Sequence, residues 1–147
     1  MKTFCASLLA LSVVATPLLA GALLLELGNP SANPEARAKD AVVVARITAC
    51  HSPEKTIVSA TAEGVVDGMH KSIPLKVIPL STAGTFAVTR EWPEQGTWAI
   101  KLTATNPDYR DYATSSVVPI ANGSAQLNST KHYFHAATDA EVATSLN

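Results

Sequence analysis

The sequence predicts an all-β protein, a small antiparallel β-sandwich of six to seven strands, on three observations. From Ala41 onward apolar residues recur at every second position, the period of a strand with one face in a core and one in water. Turn residues punctuate that pattern every eight to twelve positions, the spacing of short strands in a sandwich or barrel. The composition is globular: 47% hydrophobic and 16% charged over 147 residues, carried by Ala, Val, Ile and Leu with only 5% aromatic. Length allows one folded domain. Eleven basic against twelve acidic residues give a net charge of −1, without the basic excess that a phosphate-binding surface needs, so nucleic acid is excluded as a partner.

The strands follow in order. Val42 to Cys50 sets Val43, Ala45, Ile47 and Ala49 opposite Arg46 and Thr48. Thr56 to Gly64 aligns Val58, Ala60 and Ala62, and Asp67-Gly68 after it suits a tight hairpin. Ser72 to Leu80 places Ile73, Leu75 and Val77 opposite Lys76, and its two prolines, Pro74 and Pro79, demote it to an edge. Ala83-Gly84 turns the chain into Thr85 to Arg90, where Phe86 and Val88 share a face. The clearest strand is Gly96 to Thr105, with Trp98, Ile100, Leu102 and Ala104 on one side and Thr97, Ala99, Lys101, Thr103 and Thr105 on the other. Trp92-Pro93-Glu94-Gln95-Gly96 leads into it, and Asn106-Pro107-Asp108 closes it with turn chemistry. Tyr112 to Ile120 aligns Tyr112, Val118 and Ile120. A seventh strand falls near Lys131 to Phe134, so that His132 and His135 flank strand residues and are not metal ligands on a helix. These strands make a sandwich over residues 41–120, followed by a tail over 121–147. Thr138 and Glu141 stand at capping-box spacing and predict a short helix over 139–146.

The N-terminal quarter reads differently. Lys2 precedes a stretch from Ala6 to Leu25 without a charged residue, which is an export signal. Ala20-Gly21-Ala22 fits the small-x-small rule and places cleavage after Ala22, making residues 1–22 a signal peptide. The rival reading is an uncleaved anchor over residues 6–25, since twenty uncharged residues at about 1.5 Å each span roughly 30 Å of bilayer. Either reading places the remaining chain outside the cytoplasm, periplasmic or secreted in the first and held to the inner membrane in the second. Residues 23–40, with two Asn-Pro steps and five charges after Leu25, read as a flexible linker.

Cleavage would remove Cys5 and leave Cys50 as the single thiol, which cannot form an internal disulfide. Cys50-His51 after the first strand and Met69-His70 after the Asp67-Gly68 turn together supply thiolate, imidazole and thioether, the soft donor set that suits Cu(I). They are the candidate metal ligands, set against ordinary loop residues. Trp92 and Tyr109 are the aromatic side chains outside core register and the candidates for an exposed binding surface.

Gly84-Thr85-Phe86, then Trp92-Pro93-Glu94-Gln95-Gly96-Thr97-Trp98, then the alternating strand ending at Thr105 resemble the small exported bacterial immunoglobulin-like sandwiches of the YtkA-like and FixH-like group. Residues 40–120 are also similar to carboxypeptidase-regulatory-like or transthyretin-like modules. The resemblance implies an immunoglobulin-like sandwich outside the cytoplasm, in a group with some links to copper proteins. Copper-resistance proteins of the CopC type share that architecture, but their mature N-terminal histidine ligand has no counterpart here.

The sequence contains no Gly-x-Ser-x-Gly, His-Glu-x-x-His, Cys-x-x-Cys, P-loop or dinucleotide fingerprint. The expectation is a non-enzymatic exported domain without a cofactor, with a binding or structural role toward a protein or an envelope component. The alternative is a periplasmic domain that handles copper through Cys50, His51, Met69 and His70.

Overall fold

The computed structural model describes residues 23–49, 52–108 and 112–146. Residues 1–22, expected to be a signal peptide, and Cys50, His51 and Tyr109 therefore lie outside the described residues.

In chain order the strands are β1 (Leu24–Gly28), β2 (Ala41–Thr48), β3 (Ile57–Val66), β4 (Met69–Pro74), β5 (Val77–Pro79), β6 (Thr85–Thr89), β7 (Thr97–Thr105), β8 (Ala113–Ala121), β9 (Ser124–Ala125) and β10 (Lys131–Tyr133). Two short helices, α1 (Pro34–Arg37) and α2 (Asp139–Ala143), sit on the outside. The first sheet runs β1-β2-β6-β5 and the second β10-β8-β7-β3-β4, with β9 hairpinned onto β8, and all pairings are antiparallel. Lettered in the immunoglobulin manner, β1 to β8 become A, B, C, C′, D, E, F and G, and the sheets read A-B-E-D and G-F-C-C′. The chain is an immunoglobulin-like sandwich.

The core lies between the sheets and is built from the residues that alternation aligns. Val43, Ala45 and Ile47 of β2, Ala60 and Ala62 of β3, and Trp98, Ile100, Leu102 and Ala104 of β7 meet Val88 and Val118 there. Each fully buried Leu, Ile or Val contributes about 1.5–3 kcal/mol of transfer free energy, so β7, with four inward residues, is the backbone of the core. Two smaller clusters cover the outer faces. Helix α1 lays Ala36 on Val44, Leu80 and Ala87 of the first sheet, and Glu35 fixes it by accepting from the Ser81 N–H (2.9 Å) and Oγ (2.7 Å). Helix α2 lays Val142 on Ala99 and Val117 of the second sheet, capped at Thr138 and Glu141 as their spacing predicts.

Four sequence expectations need correction. Residues 23–40 are not a flexible linker: Leu23 and Leu25 are 0% and 6% exposed within the core, β1 pairs with β2 from Leu24 to Gly28, and Asn29 and Asn33 cap the helical turns after it. The same finding removes residues 23–25 from any anchor. Ser72 to Leu80 is not one strand. β4 ends at Pro74, the Leu75 N–H still donates to Ala60 of the second sheet, and the Lys76 carbonyl already accepts from Thr89 of the first, so the chain changes sheets between Leu75 and Lys76. The six to seven expected strands are ten among the described residues, because β1, the split and the two-residue β9 add to them. Finally, Trp92 is not an exposed binding residue. It is 4% exposed and belongs to the core, with the Arg90 guanidinium carbon 5.6 Å from its ring centroid and Arg90 Nε donating to its carbonyl at 3.2 Å.

Candidate functional site

The register of β3 with its neighbours decides which polar residues meet. On the outer face of the second sheet Glu63 of β3 is opposite Ser72 of β4, two residue pairs from Val65–His70, and lies diagonal to Lys101 of β7, which is opposite Thr61. Its carboxylate, 4% exposed, accepts from Thr61 Oγ1 at 2.7 Å and Ser72 Oγ at 2.9 Å. Lys101 Nζ stands 3.6 Å from one carboxylate oxygen and His70 Nε2 3.5 Å from the other. Burial alone pushes this carboxyl up. The two hydroxyl donors and the charges of Lys101 and His70 outweigh it and hold Glu63 below the ordinary value. Glu63 is thus an ionised, fully partnered carboxylate that fastens β4 to the rest of the sheet.

That arrangement fixes how β4 presents itself. Because the Leu75 N–H donates to Ala60, alternation along an antiparallel pair turns the backbone groups of Met69, Lys71 and Ile73 toward β3 and those of His70, Ser72 and Pro74 away from it. β4 is the last strand of its sheet. The His70 and Ser72 amides and the His70, Ser72 and Pro74 carbonyls therefore line an open margin, and the side chains of His70 and Ser72 are held in place by Glu63.

Of the expected metal ligands, Met69 and His70 open β4, with Met69 58% exposed and His70 tied to Glu63. Cys50 and His51 lie outside the described residues. Ser52, which follows them, accepts from Asn106 Nδ2 at 2.9 Å just beyond the end of β7. That pole is opposite to Met69–His70: Ile57 pairs with Thr105 and Val65 with Thr97, and eight residues of strand separate the two ends by about 26 Å. Among the described residues no three His, Cys, Asp or Glu side chains stand close enough together to hold a metal ion.

A second polar pairing escapes sequence reading. Ser116 Oγ meets His132 Nδ1 at 2.9 Å across β8 and β10, but Ser116 is 0% exposed and its β7 neighbour is the core residue Leu102. The pair ties the β10 edge to the sheet and offers no accessible nucleophile. His135 is likewise held, its Nε2 3.0 Å from Glu141 Oε1. Among the described residues no helix is long and apolar enough to cross a membrane.

In comparisons with family models, curated proteins and solved structures, the chain matches none.

Proposed function

We propose that the chain is an exported, non-enzymatic immunoglobulin-like module that binds a protein or envelope component outside the cytoplasm, its residues 40–120 resembling the YtkA-like and FixH-like sandwiches. The observation that carries the reading is the open margin of the second sheet: a six-residue strand, exposed at every position but Ile73, whose outward backbone groups have no partner strand among the described residues. Ladder hydrogen bonds offered at a sheet edge are a general means of holding an extended segment of another chain. The sealed Ser116–His132 pair supports the non-enzymatic part, since a hydroxyl at 0% exposure meets no substrate. The uncharged stretch from Ala6 to Leu25 supports export. Leu23, 0% exposed at the head of β1, supports cleavage at or before Ala22, ahead of the sandwich.

The test is expression of the full chain with a C-terminal tag in a Gram-negative bacterium, followed by fractionation and N-terminal sequencing. Recovery from the periplasm with Leu23 as the first residue is the expected result. Recovery from the cytoplasm with Met1 intact overturns the reading.

A further inference from the structure

Among the described residues, the sandwich has four sheet margins, and they are not equivalent. β5 is three residues long and ends at Pro79, which has no N–H to offer a ladder. β10 is also three residues, with Lys131 Nζ tied to the carbonyl of Thr144 beside α2. β1 is five residues long, and Leu25 within it and Leu23 just before it are already committed to the core. β4 is the longest, and it alone carries side chains locked by a buried carboxylate. A long exposed edge is a template for another strand unless something blunts it.

The titratable residues of β4 itself are basic, and Asp67 in the turn before it accepts from Gln95 Nε2 at 3.2 Å. Residues 68–80 contain His70, Lys71 and Lys76 and no Asp or Glu. Lys76 is paired with Glu91 at 3.1 Å, and the nearest carboxylate on the sheet, Glu63, is already matched by Lys101 and His70. The exposed Lys71 has no acidic partner among the described residues. A strand laid against β4 would bring a side chain to about 5 Å from Lys71, where an opposite charge is favourable and a like charge is not. Met69, 58% exposed on the same face two residues away, supplies an apolar contact.

We infer that β4 is the docking edge for an extended, acidic segment of a partner protein, which adds to the second sheet as a further strand and pairs with the outward backbone groups of His70, Ser72 and Pro74. The inference rests on the binding-module reading and specifies its site and the chemistry of its partner. Glu63 acts as a positioning residue: by holding Ser72 and His70 it reduces the ordering that docking would otherwise demand.

The test is a fluorescence-anisotropy titration of the full chain with two labelled hexapeptides, one alternating Glu with Val and one alternating Lys with Val. The acidic peptide is expected to bind about two- to tenfold tighter, the difference between an opposite and a like charge across an exposed strand pair. Lys71→Glu, an exposed change that leaves the backbone free to pair, is expected to reverse the preference. Ser72→Pro, which removes an outward N–H, is expected to abolish binding; Lys71→Glu decides the matter if that variant fails to fold. Equal affinity for both peptides, or an unchanged preference in Lys71→Glu, overturns the inference. Acidic-peptide binding that both variants retain overturns the β4 edge and leaves a binding module standing. No binding of either peptide at millimolar concentration overturns the acidic occupant, while export and processing still judge the broader reading separately.

Discussion

Gly64 of β3 stands directly opposite Trp98 of β7, and the indole covers the place where a side chain at residue 64 would begin. A β-carbon built on Gly64 falls 2.6 Å from Trp98 Cδ2 and from the Thr97 carbonyl oxygen, closer than real side chains come. The ring is in turn held by its own N–H, which donates to the Gln95 carbonyl at 2.9 Å. Neither side can give way cheaply, because one obstacle is backbone and the other is a 2% exposed ring in the core.

Gly64→Ala is therefore expected to destabilise the fold by about 1–3 kcal/mol, the usual cost of overpacking. Urea unfolding followed by tryptophan fluorescence reads it. A change within a few tenths of a kcal/mol would mean that the two strands are not in this register.

Glu63 makes stability depend on acid. A carboxyl held below its unfolded value contributes stability that is present above that value and is lost as the pH falls through the folded one. Burial opposes ionisation of Glu63, but the hydroxyls of Thr61 and Ser72 and the charges of Lys101 and His70 win. Its contribution should be intact at pH 7 and should decline once the pH drops below the ordinary value of 4.5. Glu63→Gln is expected to cost about 1.5–3 kcal/mol at pH 7, the range for hydrogen bonds to a charged group. The gap to the parent chain should be smaller at pH 3 than at pH 7. Unfolding curves at both pH values check this, and a gap independent of pH would assign Glu63 a merely steric role.

The turn after β7 has its own keystone. Asn106, 3% exposed, donates from Nδ2 to the Ser52 carbonyl at 2.9 Å and to Thr56 Oγ1 at 3.1 Å, and its Oδ1 accepts from the Asp108 N–H at 3.0 Å. Asn106→Ala leaves those groups to find other partners and is expected to cost about 1–3 kcal/mol in urea unfolding. Loss of less than half a kcal/mol would show that water replaces the side chain without penalty.

Helix α2 is one and a half turns long and owes its existence to its cap and to Val142. Thr138→Ala removes the hydroxyl that accepts from the Glu141 N–H at 3.3 Å, at an expected cost of about 1 kcal/mol. The loss should be local: faster amide exchange at residues 139–143, with the exchange of Ile100 and Leu102 in β7 unchanged. Equal acceleration in both places would show that α2 unfolds only with the whole domain.

The strands that alternate against a solvated face were legible in the sequence. β7 was readable to within a residue at each end, and the inward sets Val43-Ala45-Ile47 and Val58-Ala60-Ala62 are those found in the core. The hairpin at Asp67-Gly68 was legible too, since both residues adopt the positive φ angles (51° and 75°) that this pair favours. β1 was not, because Leu23 to Leu25 continue the uncharged run from Ala6 that reads as an export signal, and nothing in their pattern marks where one ends. The break at Leu75-Lys76 was hidden because Ile73, Leu75 and Val77 stay in phase while the chain passes from one sheet to the other. Trp92 follows no strand period, so its burial at the end of the sandwich follows from tertiary packing alone. Of the candidate site, Met69 and His70 were singled out, but as metal ligands. Their place on an open margin depends on strand order, and the partners of Glu63 depend on register; neither is written in local sequence.

The central claim is that β4 is an unpartnered edge whose outward groups accept another strand, and amide hydrogen exchange resolved residue by residue tests it most directly. In the free chain the amides of His70 and Ser72 should exchange rapidly while those of Lys71 and Ile73, turned toward β3, are protected. Addition of the alternating Glu–Val hexapeptide should slow His70 and Ser72 and leave β1 unaffected. Protection of His70 and Ser72 in the free chain, or no change in them when the acidic peptide is bound, would contradict the account.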